Sequence, residues 1–132
     1  ASVAPAPGLV VGDMSFISLT LVLPALVGAA APDADFLLMV KPQFEIGKER
    51  LGHGGVVRNP EHHVETVDNV ARCAMGLGLD IAAIAASPLP GPSGNVEYFL
   101  YMRRDYPEPI NPQELTDYIR AAVAEGPAGG AL

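Results

Sequence analysis

The stretch Phe36-Leu-Leu-Met-Val-Lys41-Pro-Gln-Phe-Glu45 decides the fold. Five apolar residues run without polar alternation into a lysine and a proline. A strand apolar on both faces belongs to a parallel sheet covered by helices, where an antiparallel sheet with one wet face would alternate. Working outward, Gly8-Leu-Val-Val-Gly-Asp13 has the same form: a short apolar strand ending in a charge. Between the two, the stretch from about Leu19 to Ala30 reads as a helix, with Leu19, Leu23, Leu26, Val27 and Ala30 on one face. Downstream, Asn59-Pro60 starts a helix, Asn as cap and Pro in the first turn, which runs to about Gly78 and buries Val64, Val67, Ala71, Ala74 and Met75. Leu79 to Ala86 is a third strand, and Ser87 to Gly94 a turn stiffened by proline and glycine. Asn95 to Met102 is a fourth strand, antiparallel because the connection before it is short. Asn111-Pro-Gln-Glu114 resembles a capping box opening a last helix with Leu115, Tyr118, Ile119, Ala122 and Val123 inward. Strands alternating with amphipathic helices define the α/β class, with parallel strands, a terminal antiparallel strand and flanking helices.

Bulk properties narrow the function. The 132 residues suffice for one core and not two ordinary domains. No apolar run reaches the roughly 20 residues of a membrane span; the stretch Ile17 to Ala31 is broken by Pro24. A single cysteine, Cys73, excludes an internal disulfide and a thiolate metal cluster, and a cytoplasmic protein fits best. The net charge of −7 argues against a nucleic-acid partner, yet four of the eight Lys and Arg residues (Lys41, Lys48, Arg50 and Arg58) fall in one stretch opposed only by Glu45 and Glu49. On composition alone that stretch is a solvated, charged loop, expected to span Pro42 to Arg58.

Candidate chemistry gathers at strand ends. Ligands of open α/β sheets bind outside the carboxyl ends of the strands, where Asp13 and Lys41 stand. If their strands are neighbours, the acid and the lysine emerge side by side. Such a pair tunes a lysine toward base chemistry in a desolvated crevice, or is a simple ion pair. Glu97 sits among Val96, Tyr98, Phe99 and Leu100. A carboxylate there either reaches a cation or lies on an edge strand facing water. His62 and His63 are adjacent, so on a helix they diverge by about 100° and make a poor metal pair. No metal is expected. The loop Gly52-His-Gly-Gly55 lacks phosphate-loop spacing.

Five motifs in order resemble one family: Asp13-Met-Ser-Phe-Ile-Ser18 with the following Leu-Pro-Ala-Leu, Val40-Lys-Pro-Gln-Phe-Glu45, Gly54-Gly-Val-Val57, and Ser87 to Glu97 ending in Asn-Val-Glu. They are similar to the TlyA family of FtsJ-like RNA 2'-O-methyltransferases, also known as hemolysins, from about Leu9 to Arg103. The resemblance implies a Rossmann-like S-adenosylmethionine-dependent methyltransferase that methylates a ribose 2'-hydroxyl of ribosomal RNA on ribosomal subunits. Of the family's Lys-Asp-Lys-Glu tetrad it assigns Asp13, Lys41 and Glu97 as catalytic. It places Asp13, Ser15 and Phe16 at the cofactor, and Lys48, Arg50 and Arg58 on RNA phosphates. It also implies an S4 RNA-binding domain, the first tetrad lysine and a glycine-rich cofactor-binding strand–loop–helix, none of which is in these residues. Residues 1–126 are therefore expected to be the C-terminal half of the methyltransferase domain, inactive alone, with 127–132 a frayed tail. The strand Leu9–Gly12 is then an exposed edge open to dimerisation. The other readings are a non-catalytic RNA-binding module and a membrane-active hemolysin. The latter lacks the basic amphipathic helix it needs.

Overall fold

The computed structural model describes residues 8–13, 18–51, 53–89 and 94–127. Among these residues four strands form one sheet in the order β1-β2-β4-β3: β1 (Leu9–Gly12), β2 (Asp35–Val40), β3 (Asp80–Ala86) and β4 (Tyr98–Arg103). β1 and β2 are parallel, and β4 runs antiparallel between β2 and β3. The expected strand directions hold. Because β4 lies inside the sheet, the edge-strand alternative for Glu97 is excluded.

The helices are α1 (Leu19–Ala29), α2 (Pro42–Glu45), α3 (Pro60–Gly76) and α4 (Leu115–Glu125). Asn59 caps α3, its side chain accepting from the Glu61 N–H at 3.0 Å, as the Asn-Pro signal requires. α4 departs from the capping-box expectation. Its cap position is Glu114 with no side-chain bond, while Asn111 accepts from the Gln113 N–H at 2.9 Å and makes its own turn upstream. α1 carries Pro24 in its interior and is closed at its C-terminal end by Arg104, which donates to the carbonyls of Val27, Ala31 and Pro32. The expected loop after Lys41 is partly ordered backbone: α2, then single turns at Lys48–Arg50 and His53–Gly55.

The core lies on one face of the sheet. Phe36, Leu38 and Val40 of β2, with Tyr98, Leu100 and Met102 of β4, are fully buried under Leu19, Leu23, Val67, Val70, Ala74, Leu115 and Ile119 of the helices. At about 25 cal/mol per Å² this apolar burial is the main term holding the unit together. On the other face the alternate residues behave differently. Leu9 is 62 % and Val11 66 % exposed, Leu37 is exposed, and Met39, Phe99 and Tyr101 are half-buried. The expectation that β1 and β2 are covered on both faces is therefore met on one face only among the described residues.

Candidate active site

Strand geometry brings the three singled-out residues to one edge. β1, β2 and β3 end there, and antiparallel β4 begins there. Asp13 is the residue after the last β1 position, Gly12, which is in register with Leu38. Lys41 follows Val40, and Glu97 precedes Tyr98; Val40 and Tyr98 are register partners, so the next step of the same register sets Lys41 opposite Glu97. Beyond them the Ser87 N–H donates to the Glu97 carbonyl at 2.7 Å, carrying the β3–β4 ladder one step past the strands.

Burial separates these groups from ordinary surface charges. Lys41 and Glu97 are 7 % and 6 % exposed, and the Lys41 ammonium makes an ion pair with the Asp13 carboxylate, which is largely exposed. A buried ammonium is tolerable only with such a partner. Glu97 accepts a hydrogen bond from Gln43 Nε2 at 3.2 Å, and Gln43 is itself buried. An acid, a lysine and a carboxamide-held glutamate thus stand together at one end of the sheet.

A second polar layer fixes the loop beside them. Asn95, two residues before Glu97, accepts from the Val57 N–H at 2.9 Å and donates from Nδ2 to the Gly55 carbonyl at 2.9 Å. His63 holds the Val57 carbonyl, in the next peptide group. Its Nε2 lies 2.8 Å from the Val57 carbonyl and its Nδ1 2.7 Å from the Tyr98 hydroxyl. A carbonyl only accepts, so Nε2 carries the proton and Nδ1 accepts from the tyrosine. Burial pushes the His63 imidazole below its ordinary value and the Tyr98 phenol above its own. Glu45 anchors α2 to α1: it accepts from the Leu19 N–H at 2.8 Å and the Ser18 hydroxyl at 2.5 Å, and burial raises its carboxyl. Gln43, Glu45 and Asn95 were not singled out by the sequence as site residues, and His63 was weighed only beside His62 as a poor metal pair. Asn95 and Gln43 had been quoted only as letters of motifs.

The remaining expected site residues lie apart. Ser15 and Phe16 fall outside the described residues. Lys48 is in the turn Lys48–Arg50, and Arg58 is exposed immediately before the α3 cap. Arg50 forms a two-pronged pair with Glu65 of α3, one prong at 2.8 Å, with both partners exposed. Among the described residues no group of His, Cys, Asp and Glu could hold a metal ion. No described helix is long and apolar enough to cross a membrane.

The chain belongs to the family of FtsJ-like methyltransferases, whose model matches residues 2–104. Over 119 residues it is 53% identical to the 16S/23S rRNA (cytidine-2'-O)-methyltransferase TlyA of Mycobacterium tuberculosis, a match covering 90% of this chain and 44% of that protein. A 23S rRNA (cytidine-2'-O)-methyltransferase TlyA of Campylobacter jejuni is 32% identical over 94 residues, covering 70% of this chain and 36% of the relative. A solved Streptococcus thermophilus structure described as a "Putative hemolysin" superposes with a TM-score of 0.78 at 32% identity, covering 91% of this chain and 44% of that one. The chain thus spans less than half the length of these relatives.

Proposed function

We propose that this chain is the acceptor-side half of a ribosomal RNA 2'-O-methyltransferase, and that Asp13, Lys41 and Glu97 handle the ribose hydroxyl. The observation that carries this reading is the pair of buried, strand-end groups Lys41 and Glu97, set opposite one another with Asp13 paired to the lysine. A lone ion pair between Lys41 and the exposed Asp13 gives no reason for a further carboxylate, Glu97, to be buried there.

The donor set also suits S-adenosylmethionine. Two carboxylates, Asp13 and Glu97, accompany one lysine at this strand end, and the lysine's ion pair is with Asp13, so the site carries acidic capacity beyond what its own lysine uses, favourable beside a sulfonium. Asp13, Ser15 and Phe16 would border it. When bound, it supplies an electrophilic methyl group, and the remaining work falls to this chain. Lys41 Nζ orients the 2'-hydroxyl and, after passing one proton to the exposed Asp13 carboxylate, takes up the hydroxyl proton as that oxygen accepts the methyl group. Asp13 holds Lys41 through its ion pair, Glu97 stands opposite it in the strand register, and the Gly55–Val57 backbone next to them is fixed by Asn95 and His63. Holding the hydroxyl in line contributes much of the acceleration, because alignment replaces a bimolecular search. Lys48, Arg50 and Arg58 meet phosphates; Arg50 would leave or share Glu65 to do so, and binding would weaken with salt. The rest of a longer protein would supply the cofactor-binding strands and cover the open sheet face, in the cytoplasm where ribosomes are. Without that cover, the β1 edge is the place where copies of this chain would associate.

The experiment is transfer of a labelled methyl group from S-adenosylmethionine to unmethylated 16S and 23S rRNA and to ribosomal subunits by the full-length protein. Label at one nucleotide, at a position that becomes resistant to alkaline cleavage, is expected. Label on a base, or none on any rRNA substrate, would refute the proposal.

A further inference from the structure

Among the described residues, Gln43 is the buried side chain at this strand end that is only half used. Its side chain is 8 % exposed and its Nε2 donates to Glu97 Oε2 at 3.2 Å, yet Oε1 is buried with no hydrogen-bond partner among the described residues. The orientation is not arbitrary. A carboxylate only accepts, so the amide must turn its NH2 toward Glu97, which leaves the carbonyl oxygen facing away. A buried acceptor left unmatched is unfavourable in a folded protein and calls for an explanation, a role in catalysis among them.

We infer that Gln43 Oε1 accepts a hydrogen bond from the hydroxyl that is to be methylated, so that one carboxamide spans Glu97 and the substrate. This inference rests on the proposed function. The chemistry of the ligand follows from what Oε1 can do. It requires a donor, which excludes phosphate oxygens and ring ether oxygens, and along an RNA backbone the 2'-hydroxyl is the donor each nucleotide provides. The covalent connection is short: Gln43 lies two residues beyond Lys41, in the first turn of α2. The bond also has a consequence for turnover. Once the hydroxyl has become a methyl ether it has no hydrogen to give, so Oε1 is matched by the substrate and unmatched by the product.

The test uses the full-length protein and a synthetic RNA spanning the position mapped in the methyl-transfer assay, made with a 2'-hydroxyl, a 2'-deoxy or a 2'-O-methyl group there. The parent is expected to bind the hydroxyl RNA roughly 3- to 10-fold more tightly than the deoxy RNA, the range of one neutral hydrogen bond. In Gln43→Met, near in size but without either amide function, that ratio is expected to shrink toward one. Its kcat falls at least tenfold, while S-adenosylmethionine affinity and thermal midpoint stay close to the parent's. Gln43→Glu keeps an acceptor but sets a second carboxyl against Glu97; it should retain more of the hydroxyl preference than Gln43→Met while losing kcat. Equal binding of hydroxyl and deoxy RNA by the parent overturns the inference whatever the variants do, and leaves Oε1 to a water molecule. Full kcat with an unchanged ratio in Gln43→Met overturns it as well. Weakened S-adenosylmethionine binding with the RNA ratio unchanged also overturns it, assigning Oε1 to a hydroxyl of the cofactor. If Lys41→Ala also retains full activity, the failure lies in the proposed function and not in Gln43 alone.

Discussion

Removing one oxygen atom from Tyr98 tests whether the buried His63 network is a stabilising element. Tyr98 and His63 are 0 % and 1 % exposed, and the tyrosine hydroxyl is 2.7 Å from His63 Nδ1. Tyr98→Phe keeps the ring and its edge-on packing against the imidazole, whose plane lies at 89° with the centroids 5.6 Å apart. What is lost is the donor, and a buried ring nitrogen is left without a partner. Leaving one such group unsatisfied costs about 1–3 kcal/mol, and near-complete burial puts this site in the upper half of that range. For a unit of this size about 2 kcal/mol corresponds to a thermal midpoint lower by roughly 6–10 °C. The assay is urea denaturation at pH 8, where His63 is neutral in both folded and unfolded chains, followed by fluorescence or far-ultraviolet circular dichroism. A variant within about 0.5 kcal/mol of the parent would refute the reasoning, because it would mean that water reaches Nδ1 or that the hydrogen bond has no net worth.

Three further outcomes follow from the same geometry. Burial lowers the His63 pKa from its ordinary 6.5, so below that pH the unfolded chain takes up a proton that the folded chain resists. Stability should then fall as pH drops from 7.5 toward 5, at most about 1.4 kcal/mol per pH unit, and His63→Leu should flatten this part of the profile. Glu45, raised from 4.5, acts in the opposite sense just above that value, so the comparison must be parent against variant. Glu45→Ala deprives the α1 N-terminus of its contact to the Leu19 N–H and should lower stability by about 1 kcal/mol; no change in the denaturation midpoint would show that Ser18 caps alone. Calorimetric titration of S-adenosylmethionine should show binding to the full-length protein and none to the 132-residue chain, whereas binding by the chain would put the cofactor pocket in the residues assigned here to the acceptor side.

The sequence made the strand ends legible because apolar runs interrupted by one charge have few interpretations. Asp13 and Lys41 each close such a run, and the parallel pairing of their strands sets them together. Glu97 was legible as an anomaly but not as a site: only the interior placement of β4 decides between a paired, buried carboxylate and one facing water. The helix after Lys41 escaped notice because four residues are too few to show a helical period, and Pro42 suggested a loop. His63 was judged only as half of a metal pair with His62. Its real partners, Val57 and Tyr98, are 6 and 35 residues away, and no spacing rule links them. The same applies to Gln43 and Glu97, 54 residues apart. The open sheet face was misjudged for another reason: an apolar strand reports that both faces are to be covered, not which part of a protein covers each.

Single-turnover methyl transfer by the full-length protein carrying Lys41→Ala tests the central claim most directly. Asp13, the ion-pair partner, is largely exposed, so its loss of a partner should disturb folding little. The rate is expected to fall at least 10²-fold, the lower bound for a general acid–base group, with rRNA and S-adenosylmethionine still bound. A rate within tenfold of the parent, at unchanged affinity for both, would contradict it and leave Asp13 and Lys41 as a structural ion pair.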